Sequence, residues 1–502
     1  MNINKKTTIL LVLALLLSVI AMIGFTPAQN RADVFYEKEE EITQYRKASV
    51  WLTTGDQQNL LTSKSPLLFS DVENKTLQTL TIDRHTTYQT MEGFGAAITG
   101  SSAYLIQKKL DESAREALLK DMFTENGINI GYIRHTIGAS DFSVDENGNP
   151  SSYSYNDTNG ELDLELNHFT IEKDQDVITA IQAALEKKRD LKIIGTPWTA
   201  PAWMKYGEKA LNGGYLDYTN EEIYRAYANY FVRYVQAYQQ KGIPVDSITI
   251  QNEPGFTSPS YPSMSMSPEE QAKFIGQYLG PAFDSNGIDT KIISYDHNWE
   301  GALDYTTALF QNEDAKKYTD GIAFHCYKGN PDAMNQVHTN FPDKNIYFTE
   351  CSSGGWSKDF RDNFSWQMSN LIIGAPRNWA KNVLMWNITL DENGGPTNGG
   401  CENCQGVVTI NQGTGEVKKN AEYYAIGHAS KFVESGAVRI FSTTYPGSIE
   451  SVAFQNPDQS TVLIATNPSE KEQQFQLNDG GAFLSYTLPP KSAVTFTWES
   501  FK

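Results

Sequence analysis

Two short apolar runs that each end in a glutamate decide how this sequence folds: Ser247-Ile-Thr-Ile-Gln-Asn-Glu-Pro254 and Asn345-Ile-Tyr-Phe-Thr-Glu-Cys-Ser352. Runs rich in Ile, Phe and Thr are typical of strands buried on both faces, as in parallel sheets. A carboxylate directly after such a strand rarely serves packing alone. We therefore interpret Glu253 and Glu350 as candidate catalytic residues.

The central region repeats this arrangement, with helical patterns between many of the runs. Eight strands alternating with helices over roughly 340 residues favour one closed barrel over two doubly wound domains, because (β/α)8 barrels need about 250 residues or more. Active sites of such barrels form at the carboxyl ends of the strands. The eight runs are 91–98, 128–134, 191–196, 247–251, 291–294, 321–325, 345–349 and 383–386.

The clearest helical pattern follows Thr219, and Glu222 three residues later is expected to complete a capping box with it. Apolar and aromatic side chains recur at three- and four-residue steps over residues 223–238. Gly242 and Pro244 supply the stop signal. The pattern predicts one long amphipathic helix directly before the strand that carries Glu253.

The amino-terminal end of the chain indicates the cellular compartment of the protein. Lys5 and Lys6 precede an apolar run over residues 9–25, and Thr26-Pro-Ala28 offers small residues for cleavage. This pattern is typical of a secretory signal peptide, with an uncleaved membrane anchor as the alternative. No other run is long and apolar enough to span a bilayer. We predict an exported protein without stable membrane insertion after cleavage.

The carboxyl-terminal end changes to short alternating runs separated by turn residues, which predicts an all-β sandwich. Residues 45–82 also alternate, and we expect them to complete that sandwich from the other terminus. The predicted organisation is a signal peptide (1–28), an N-terminal segment that contributes strands to the sandwich (29–88), a catalytic barrel (89–433) and a C-terminal β-sandwich (434–502).

The composition narrows the class of partner. The net charge is −19 and no cluster of Lys and Arg occurs, which argues against a nucleic-acid partner. Aromatic residues make up 12% of the chain, and those next to strand ends can stack on the apolar faces of sugar rings, although core packing explains any single one equally well. These candidates are Trp198, Trp203, Trp299, Trp356 and Trp386.

Four cysteines in 502 residues do not make a disulfide scaffold. Cys401 and Cys404 follow a Gly-rich loop, and in an exported protein a local disulfide is the first interpretation. The alternative, a zinc site, needs further ligands that the sequence does not indicate. Cys326 and Cys351 both lie at strand ends, where we expect two buried free thiols.

Two carboxylates on different strands of a barrel mouth suit glycoside hydrolysis, in which one protonates the leaving oxygen and the other attacks the anomeric carbon or activates water. Asn252 beside Glu253 can hold a sugar hydroxyl while the glutamate reaches the glycosidic oxygen. A carbohydrate-binding protein without catalysis is the alternative class, and the presence of both glutamates argues against it. No His-x-His or His-Glu-x-x-His spacing occurs, so we predict activity without a metal or another cofactor.

The chain resembles glycoside hydrolase family 30, the family of glucosylceramidases and endo-β-1,6-glucanases. The resemblance implies a retaining mechanism on a (β/α)8 barrel with an attached β-sandwich, with Glu350 as nucleophile and Glu253 as acid/base. Their carboxyl groups are then expected about 5 to 5.5 Å apart, with a raised pKa for Glu253. The matching segments run in the family's order: 92–99, Ile133-Arg134, 139–143, 197–205, 251–254, 325–327, 349–351 and Trp386-Asn387.

The same resemblance implies the substrate-binding residues. One expected role is to bind the hydroxyl next to the anomeric carbon (Asn252), and another is to hold the terminal glucose (Asp141 and Trp198). Two residues are expected to orient the nucleophile, and two to line the pocket. A structural alternative remains for two of these residues: Arg134 can form a plain ion pair at a strand end, and His325 can be a core histidine with its hydrogen bonds satisfied. These pairs are Arg134 with Tyr327, and His325 with Trp386.

Two features favour a β-glucan over a glucosylated glycolipid as the substrate. The segment 399–406 with its cysteine pair resembles the β-1,6-glucanase branch, and Gly100 stands where the animal glucosylceramidases have an aspartate. We therefore predict an endo-β-1,6-glucanase, with glucosylceramidase as the alternative. The xylan-cleaving branch is expected to bind a glucuronic acid side group with an arginine, and no residue here can be assigned to that role.

Overall fold

The computed structural model describes residues 46–207, 210–357 and 359–499, so the predicted signal peptide lies outside the described residues. The described chain begins with three strands that belong to a β-sandwich rather than to the barrel. They are β1 (Lys47–Thr53), β2 (Thr62–Leu68) and β3 (Gln78–Thr90).

Eight parallel strands then close into a barrel, which confirms the predicted fold. Each of the eight runs identified in the sequence contributes one strand, in chain order, with bounds shifted by a few residues at most of them. The barrel strands are β4 (Gly93–Ile98), β5 (Tyr132–Thr136), β6 (Lys192–Thr196), β7 (Ser247–Thr249), β8 (Lys291–Asn298), β9 (Thr319–His325), β10 (Asn345–Glu350) and β12 (Ala380–Met385), with the short β11 (Ser353–Gly354) between the last two.

Helices connect the barrel strands and pack their apolar faces on the outside of the barrel, where they form the largest core of the protein. The helices are α1 (Gly100–Tyr104), α2 (Glu112–Phe123), α3 (Gln175–Lys187), α4 (Glu221–Gln240), α5 (Pro268–Phe274), α6 (Gly280–Asn286), α7 (Ala302–Leu309), α8 (Glu313–Tyr318), α9 (Asp332–Asn340), α10 (Phe360–Gln367), α11 (Ala375–Arg377) and α12 (Ala421–Ser430). Short 3-10 segments span Glu172–Asp174 and Ala202–Met204, and π-helical segments span Leu105–Lys109, Ile275–Leu279 and Met368–Gly374.

The long helix α4 forms as predicted, but its cap differs from the prediction. Asn220 is the N-cap, and its side chain accepts a hydrogen bond from the backbone N–H of Glu222. Thr219 bonds instead to the carboxylate of Asp217, so the predicted capping box with Glu222 was wrong. Asparagine caps a helix as well as threonine does, and the helix starts one residue later.

The inside of the barrel changes from apolar to polar along the strands. A layer of six buried apolar side chains fills the lower part: Tyr132, Ile194, Ile293, Ala323, Tyr347 and Leu384. Because side chains alternate along a strand, the residue two positions later also faces the interior. This rule places a second, mostly polar layer at the carboxyl ends of the strands: Arg134, Thr196, His325, Thr349 and Trp386. Thr249 of β7 joins this layer, where its hydroxyl bonds to that of Thr196.

Strand β8 departs from this alternation. Asp296 lies three residues after the interior residue Ile293, yet it too enters the polar layer, where it contacts Arg134 and Thr249. The backbone is left-handed at Tyr295 and at Asp296, with φ angles of 70° and 66°, and the register with β9 shifts at this point. The irregular backbone thus turns an aspartate into the interior of the barrel.

The terminal strands form a nine-stranded sheet that takes β1–β3 from one end of the chain and the last six strands from the other. The sheet folds over its own apolar core, and Tyr486 of an edge strand packs on Phe496 of a more central one at 5.2 Å between ring centroids. Short sheets near the barrel mouth contain β13 (Thr389–Asp391), β14 (Cys404–Gln405), β15 (Val408–Ile410) and β16 (Val417–Lys419). The last six strands are β17 (Val438–Ser442), β18 (Glu450–Gln455), β19 (Thr461–Asn467), β20 (Gln473–Asp479), β21 (Ala482–Leu488) and β22 (Ser492–Trp498). Within the described ranges, no helix combines the length and apolarity that crossing a membrane requires.

Candidate active site

Glu253 and Glu350 meet at the carboxyl end of the barrel. Glu350 is the last residue of β10, and Glu253 follows β7 with a left-handed backbone, φ 48°. One carboxylate oxygen of each lies within 4.8 Å of the other. Retaining glycosidases hold their two carboxyl groups about 5 to 5.5 Å apart and inverting ones about 6.5 to 9.5 Å apart. The spacing therefore fits a retaining site.

Glu350 is buried and held by two donors. Arg134 donates to Oε2 of Glu350 in a buried ion pair, and the hydroxyl of Tyr327 donates to Oε1 at 2.9 Å. Only 5% of Glu350 is exposed. Charge-assisted hydrogen bonds of this kind are strong and directional, so they fix the orientation of the carboxylate.

Arg134 connects Glu350 to the rest of the polar layer. Its fully buried guanidinium also donates to Asp296 at 2.9 Å and to the side-chain oxygen of Asn252 at 2.8 Å. Asp296 in turn accepts from Thr249 and from Thr349. The charge of Arg134 is thus balanced by two carboxylates. The sequence predicted its contact with the nucleophile but not its pairing with Asp296.

Glu253 has fewer partners than Glu350. His325 lies 3.3 Å from its Oε1 through Nδ1, and His297 lies 3.9 Å from the same oxygen through Nε2. Burial alone would raise the pKa of Glu253, but the hydrogen bond and the charge of His325 outweigh it and lower the pKa. The expectation of a raised pKa was therefore wrong for the site without substrate, because the sequence does not reveal the imidazolium beside Glu253.

His325 lies between both carboxylates and is fully buried. Nε2 contacts Asp296 at 3.0 Å, while Nδ1 faces Glu253 at 3.3 Å and Glu350 at 3.9 Å. Burial lowers the pKa of His325, but Glu350 and Asp296 outweigh it and raise the pKa to about 9. Since Asp296 accepts from Nε2, the proton that His325 can give up is the one on Nδ1.

The remaining predicted residues surround this pair. Trp198 and Trp386 are buried and stack on each other at 5.0 Å between centroids, and Arg134 lies over both rings. Asp141 packs at the same wall of the site, and one of its carboxylate oxygens is buried without a hydrogen-bond partner in this structure. Burial, with Glu350 and Glu253 nearby, raises the pKa of Asp141 well above its usual range.

The tryptophans next to strand ends fall into different environments. Trp203 is buried and donates to Asn156, and Trp299 is buried against Phe348, so both belong to the core. Trp356 is 59% exposed on the loop after β10, which carries the nucleophile. Exposure therefore separates one surface aromatic from two structural ones, a distinction the sequence did not make.

The cysteines correct one expectation and confirm another. Cys326 and Cys351 form a disulfide, so the prediction of two free thiols was wrong. The reason is that β9 and β10 are adjacent strands, with His325 opposite Glu350, and the next residue of each strand is a cysteine. Cys401 and Cys404 form the predicted local disulfide.

The segment that contains this local disulfide closes one side of the site. The backbone N–H of Asn398 donates to the carbonyl of Asp141 at 2.7 Å, and β14 pairs with β11 on the loop after the nucleophile. A Cβ at Gly400 would lie 2.6 Å from Asp141 Oδ2, so glycine allows the close approach. Tyr261, which the sequence analysis missed, packs into the same wall with Trp198 and Trp386.

Among the described residues, one group of side chains has the spacing of a metal site: Glu253, His325 and Glu350, whose ligand atoms lie within 4.8 Å of one another. Arg134 already occupies Glu350 Oε2 and brings a positive charge next to the group. A cation placed there would face both the guanidinium and the imidazolium of His325. The arrangement suits a sugar between the carboxylates better than a metal.

Known proteins share both parts of this architecture. The model for the glycosyl hydrolase family 30 TIM-barrel domain matches residues 91–433, and that for the family 30 beta sandwich domain matches residues 436–496. An endo-1,6-beta-D-glucanase from Aspergillus fumigatus is 37% identical over 437 residues, covering 82% of this chain and 86% of the relative. The lysosomal acid glucosylceramidase of Mus musculus is 28% identical over 438 residues, covering 84% and 83%.

A solved endo-beta-1,6-glucanase structure superposes with a TM-score of 0.82 at 32% identity, covering 91% of this chain and all of that one. The superposition spans the barrel and the sandwich together, and the two family models cover the same regions in the same order. With its paired carboxylates at retaining distance and with both family domains, the chain belongs to glycosyl hydrolase family 30 and is a retaining glycoside hydrolase.

Proposed function

We propose that this protein is an endo-β-1,6-glucanase in which Glu350 is the nucleophile and Glu253 the acid/base. The observation that carries the choice of substrate is the 37% identity with a fungal endo-1,6-beta-D-glucanase, against 28% with the lysosomal glucosylceramidase. The separation of the two carboxylates supports the roles.

In the first step, Glu350 attacks the anomeric carbon and forms a covalent glycosyl ester, while the bond to the leaving sugar oxygen breaks. Glu253 gives a proton to that oxygen. Nδ1 of His325 lies in hydrogen-bond contact with Glu253 at 3.3 Å, so a proton on Nδ1 can pass to Glu253. A proton that leaves Nδ1 of His325 leaves Nε2 bonded to Asp296, so the ring keeps its orientation.

In the second step, Glu253 accepts a proton from water, which attacks the same carbon and releases Glu350. Two inversions at the anomeric carbon give net retention. Arg134 and Tyr327 hold Glu350 before the attack and after its release. Because these donors are in place in the free protein, the nucleophile needs no reorganisation when substrate binds.

The sugar next to the cleaved bond is recognised by groups with free hydrogen-bonding capacity. Arg134 occupies the side-chain oxygen of Asn252, which leaves the NH2 of Asn252 to donate to the hydroxyl beside the anomeric carbon. Asp141 offers its unpartnered carboxylate oxygen to the terminal glucose, and Trp198 stacks nearby. We assign these roles on contacts and on the family resemblance together.

Glucosylceramidase is the second candidate, because that activity occurs among relatives such as the murine enzyme. Two local features favour the glucan. Gly100 lies so close to the neighbouring loop that a Cβ there would sit 3.2 Å from the Cα of Ser143, which leaves little room for an aspartate. The disulfide-bonded segment packs against Asp141, at the wall where the glucan would extend from the terminal glucose.

We infer that the protein is exported. Residues 1–28 have the pattern of a signal peptide, and all four cysteines of the chain are in disulfides, which persist in oxidising compartments. Sequencing the amino terminus of protein recovered from culture medium tests this, with a first residue near position 29 expected. A membrane-bound chain that begins at Met1 would contradict export.

The test of function is product analysis of purified enzyme on β-1,6-glucan and on glucosylceramide in parallel, with Glu350→Gln as control. We expect short β-1,6-linked oligosaccharides early in the reaction, by chromatography, and the β-anomer first, by proton NMR. Glucose released from the lipid alone would reassign the enzyme to glucosylceramidase. Product from neither substrate would favour the carbohydrate-binding alternative.

A further inference from the structure

The disulfide between Cys326 and Cys351 lies directly beside the catalytic residues. Cys326 stands between His325 and Tyr327, and Cys351 follows Glu350. One covalent bond therefore joins two segments that carry the nucleophile, the hydroxyl that binds it, and the imidazole that contacts the acid/base.

The two strands separate at this point. Opposite His325 and Glu350 the ladder between β9 and β10 is still paired. Beyond this pair, the backbone carbonyls of the two strands accept hydrogen bonds from opposite neighbouring strands. The carbonyl of His325 accepts from Trp299 on the β8 side, and the carbonyl of Cys351 accepts from Trp386 on the β12 side. The disulfide therefore connects the two segments one residue beyond the point where backbone pairing between β9 and β10 ends.

Tyr327 depends most on this link. Its residue is 41% exposed, and its backbone N–H bonds to Asn298 of β8, away from β10. Its hydroxyl must nevertheless reach Glu350 Oε1, at 2.9 Å. Packing on an exposed side chain constrains it weakly, so a covalent tie through the preceding residue is an effective constraint on this contact.

We infer that Cys326 and Cys351 are positioning residues, whose disulfide holds Tyr327 and Glu350 in reactive geometry and makes turnover dependent on the redox state of the protein. This inference rests on the catalytic roles proposed above for these two residues. Displacing a reacting group by about 1 Å can cost about 10²-fold in rate. We expect loss of the disulfide to lower kcat by about 10- to 100-fold and to change KM by less than about threefold.

The chemistry of the switch is ordinary thiol–disulfide exchange. Dithiothreitol supplies two electrons and two protons, the Cys326–Cys351 bond becomes two thiols, and the reagent closes into its own cyclic disulfide. Cys351 is 3% exposed and Cys326 is half-buried, so attack is expected at the sulfur of Cys326.

The test compares Cys326→Ser/Cys351→Ser with the control Arg84→Met, which breaks a charge pair with Asp479 in the β-sandwich. Besides kcat and KM, it measures how fast a 2-deoxy-2-fluoroglucoside with a dinitrophenyl leaving group labels Glu350, by intact and peptide mass spectrometry. We expect kcat and the labelling rate to fall together in the first variant. In the control, which changes a residue of the β-sandwich, the labelling rate should stay within about threefold of the unaltered enzyme.

Reduction of the folded protein provides a second arm that does not depend on the variant folding. In the unaltered protein, dithiothreitol can reduce both disulfides, peptide mass spectrometry quantifies each of them separately, and near-UV circular dichroism follows the fold. Activity and the Cys326–Cys351 bond should decline together and return together on reoxidation. Full activity after complete reduction, or a folded serine variant with kcat and labelling rate within twofold of the unaltered enzyme, overturns the inference.

The same experiment separates this inference from the proposed function. If the unaltered enzyme is labelled at Glu350 but leaves β-1,6-glucan uncut, the choice of substrate fails, and the labelling rates still decide the role of the disulfide. Labelling at a residue other than Glu350 would overturn both the proposed roles and the positioning inference.

Discussion

Glu350 and Glu253 lie within 4.8 Å of each other yet are held in different ways. Glu350 is buried and receives hydrogen bonds from a guanidinium and a phenol. Glu253 has an 18% exposed side chain, a left-handed backbone and an imidazole as its nearest partner. The first environment fixes the position of a carboxylate with two donors, and the second places a carboxylate beside a titratable imidazole.

The difference follows from what the two roles demand. A nucleophile must stay aimed at one carbon, which permanent donors such as Arg134 achieve. An acid/base must gain and lose a proton in each turnover, which a titratable neighbour such as His325 allows. Asp296 serves both residues because it bonds to Arg134 and to His325 at once. We therefore expect substitutions around Glu350 and substitutions around Glu253 to give different results.

The largest expected effect is that of Glu350→Gln, which removes the nucleophile and should lower kcat by about 10⁴- to 10⁶-fold. The amide cannot form the glycosyl ester. Steady-state hydrolysis of β-1,6-glucan and labelling with the fluoroglucoside check this. Residual turnover above one hundredth of the unaltered rate would show that another residue is the nucleophile.

Glu253→Gln should act less strongly and in a way that depends on the leaving group. Loss of a general acid costs about 10²- to 10⁴-fold on the glucan, whereas a dinitrophenyl glucoside needs no proton for its first step. That substrate should react in a burst and then stall. Added azide should restore turnover and yield a β-glucosyl azide, detected by NMR. An α-azide, or no rescue, would contradict the assignment of Glu253.

Arg134→Met tests the environment of Glu350, whose hydrogen-bond donors are permanent. It removes the guanidinium from the buried carboxylates of Asp296 and Glu350, which should cost about 3 to 5 kcal/mol in the free energy of unfolding although His325 remains beside both. Urea unfolding measures this. Arg84→Met is the matched control, since it breaks a charge pair with Asp479 in the sandwich and should leave the labelling of Glu350 unchanged. Equal rates of Glu350 labelling in both variants would show that Arg134 does not orient the nucleophile.

The smallest expected effect concerns His325, the titratable neighbour of Glu253. The pKa of His325 is about 9 in the folded protein, above the unfolded value of about 6.5. Its proton therefore contributes stability that is fully present below pH 6.5 and lost as the pH rises through 9, on the order of 3 kcal/mol. The difference in unfolding free energy between the unaltered protein and His325→Gln should shrink by about that amount between pH 6 and pH 10. A difference that does not change with pH would refute the charged imidazolium.

Much of the fold could be predicted because its signals are local. Each barrel strand is a short apolar run followed by polar residues, and the period of two along a strand then indicates which side chains face the interior. Within residues 45–82, strand β2 lacks such a signal. β2 is mostly exposed and contains a proline, so it lacks the alternation that marks a half-buried strand.

The site was predicted less completely for a different reason. Asp296 enters the polar layer through two left-handed residues on β8, and no periodic pattern encodes such an irregularity. The lowered pKa of Glu253 depends on an imidazole that lies 72 positions away in sequence. The first property is a local backbone irregularity without a sequence signal, and the second arises from a residue that is distant along the chain.

The sequence alone determined the barrel, the order of its strands and the two glutamates at their ends, because buried parallel strands and terminal carboxylates leave a local pattern. Only the tertiary structure decided how those glutamates differ. Closure of the barrel brings Arg134 and Tyr327 to Glu350 and His325 to Glu253, and the adjacent strands β9 and β10 bring Cys326 to Cys351. Electrostatic coupling and covalent pairing depend on distances of a few ångströms between remote residues, which chain closure into the barrel alone sets.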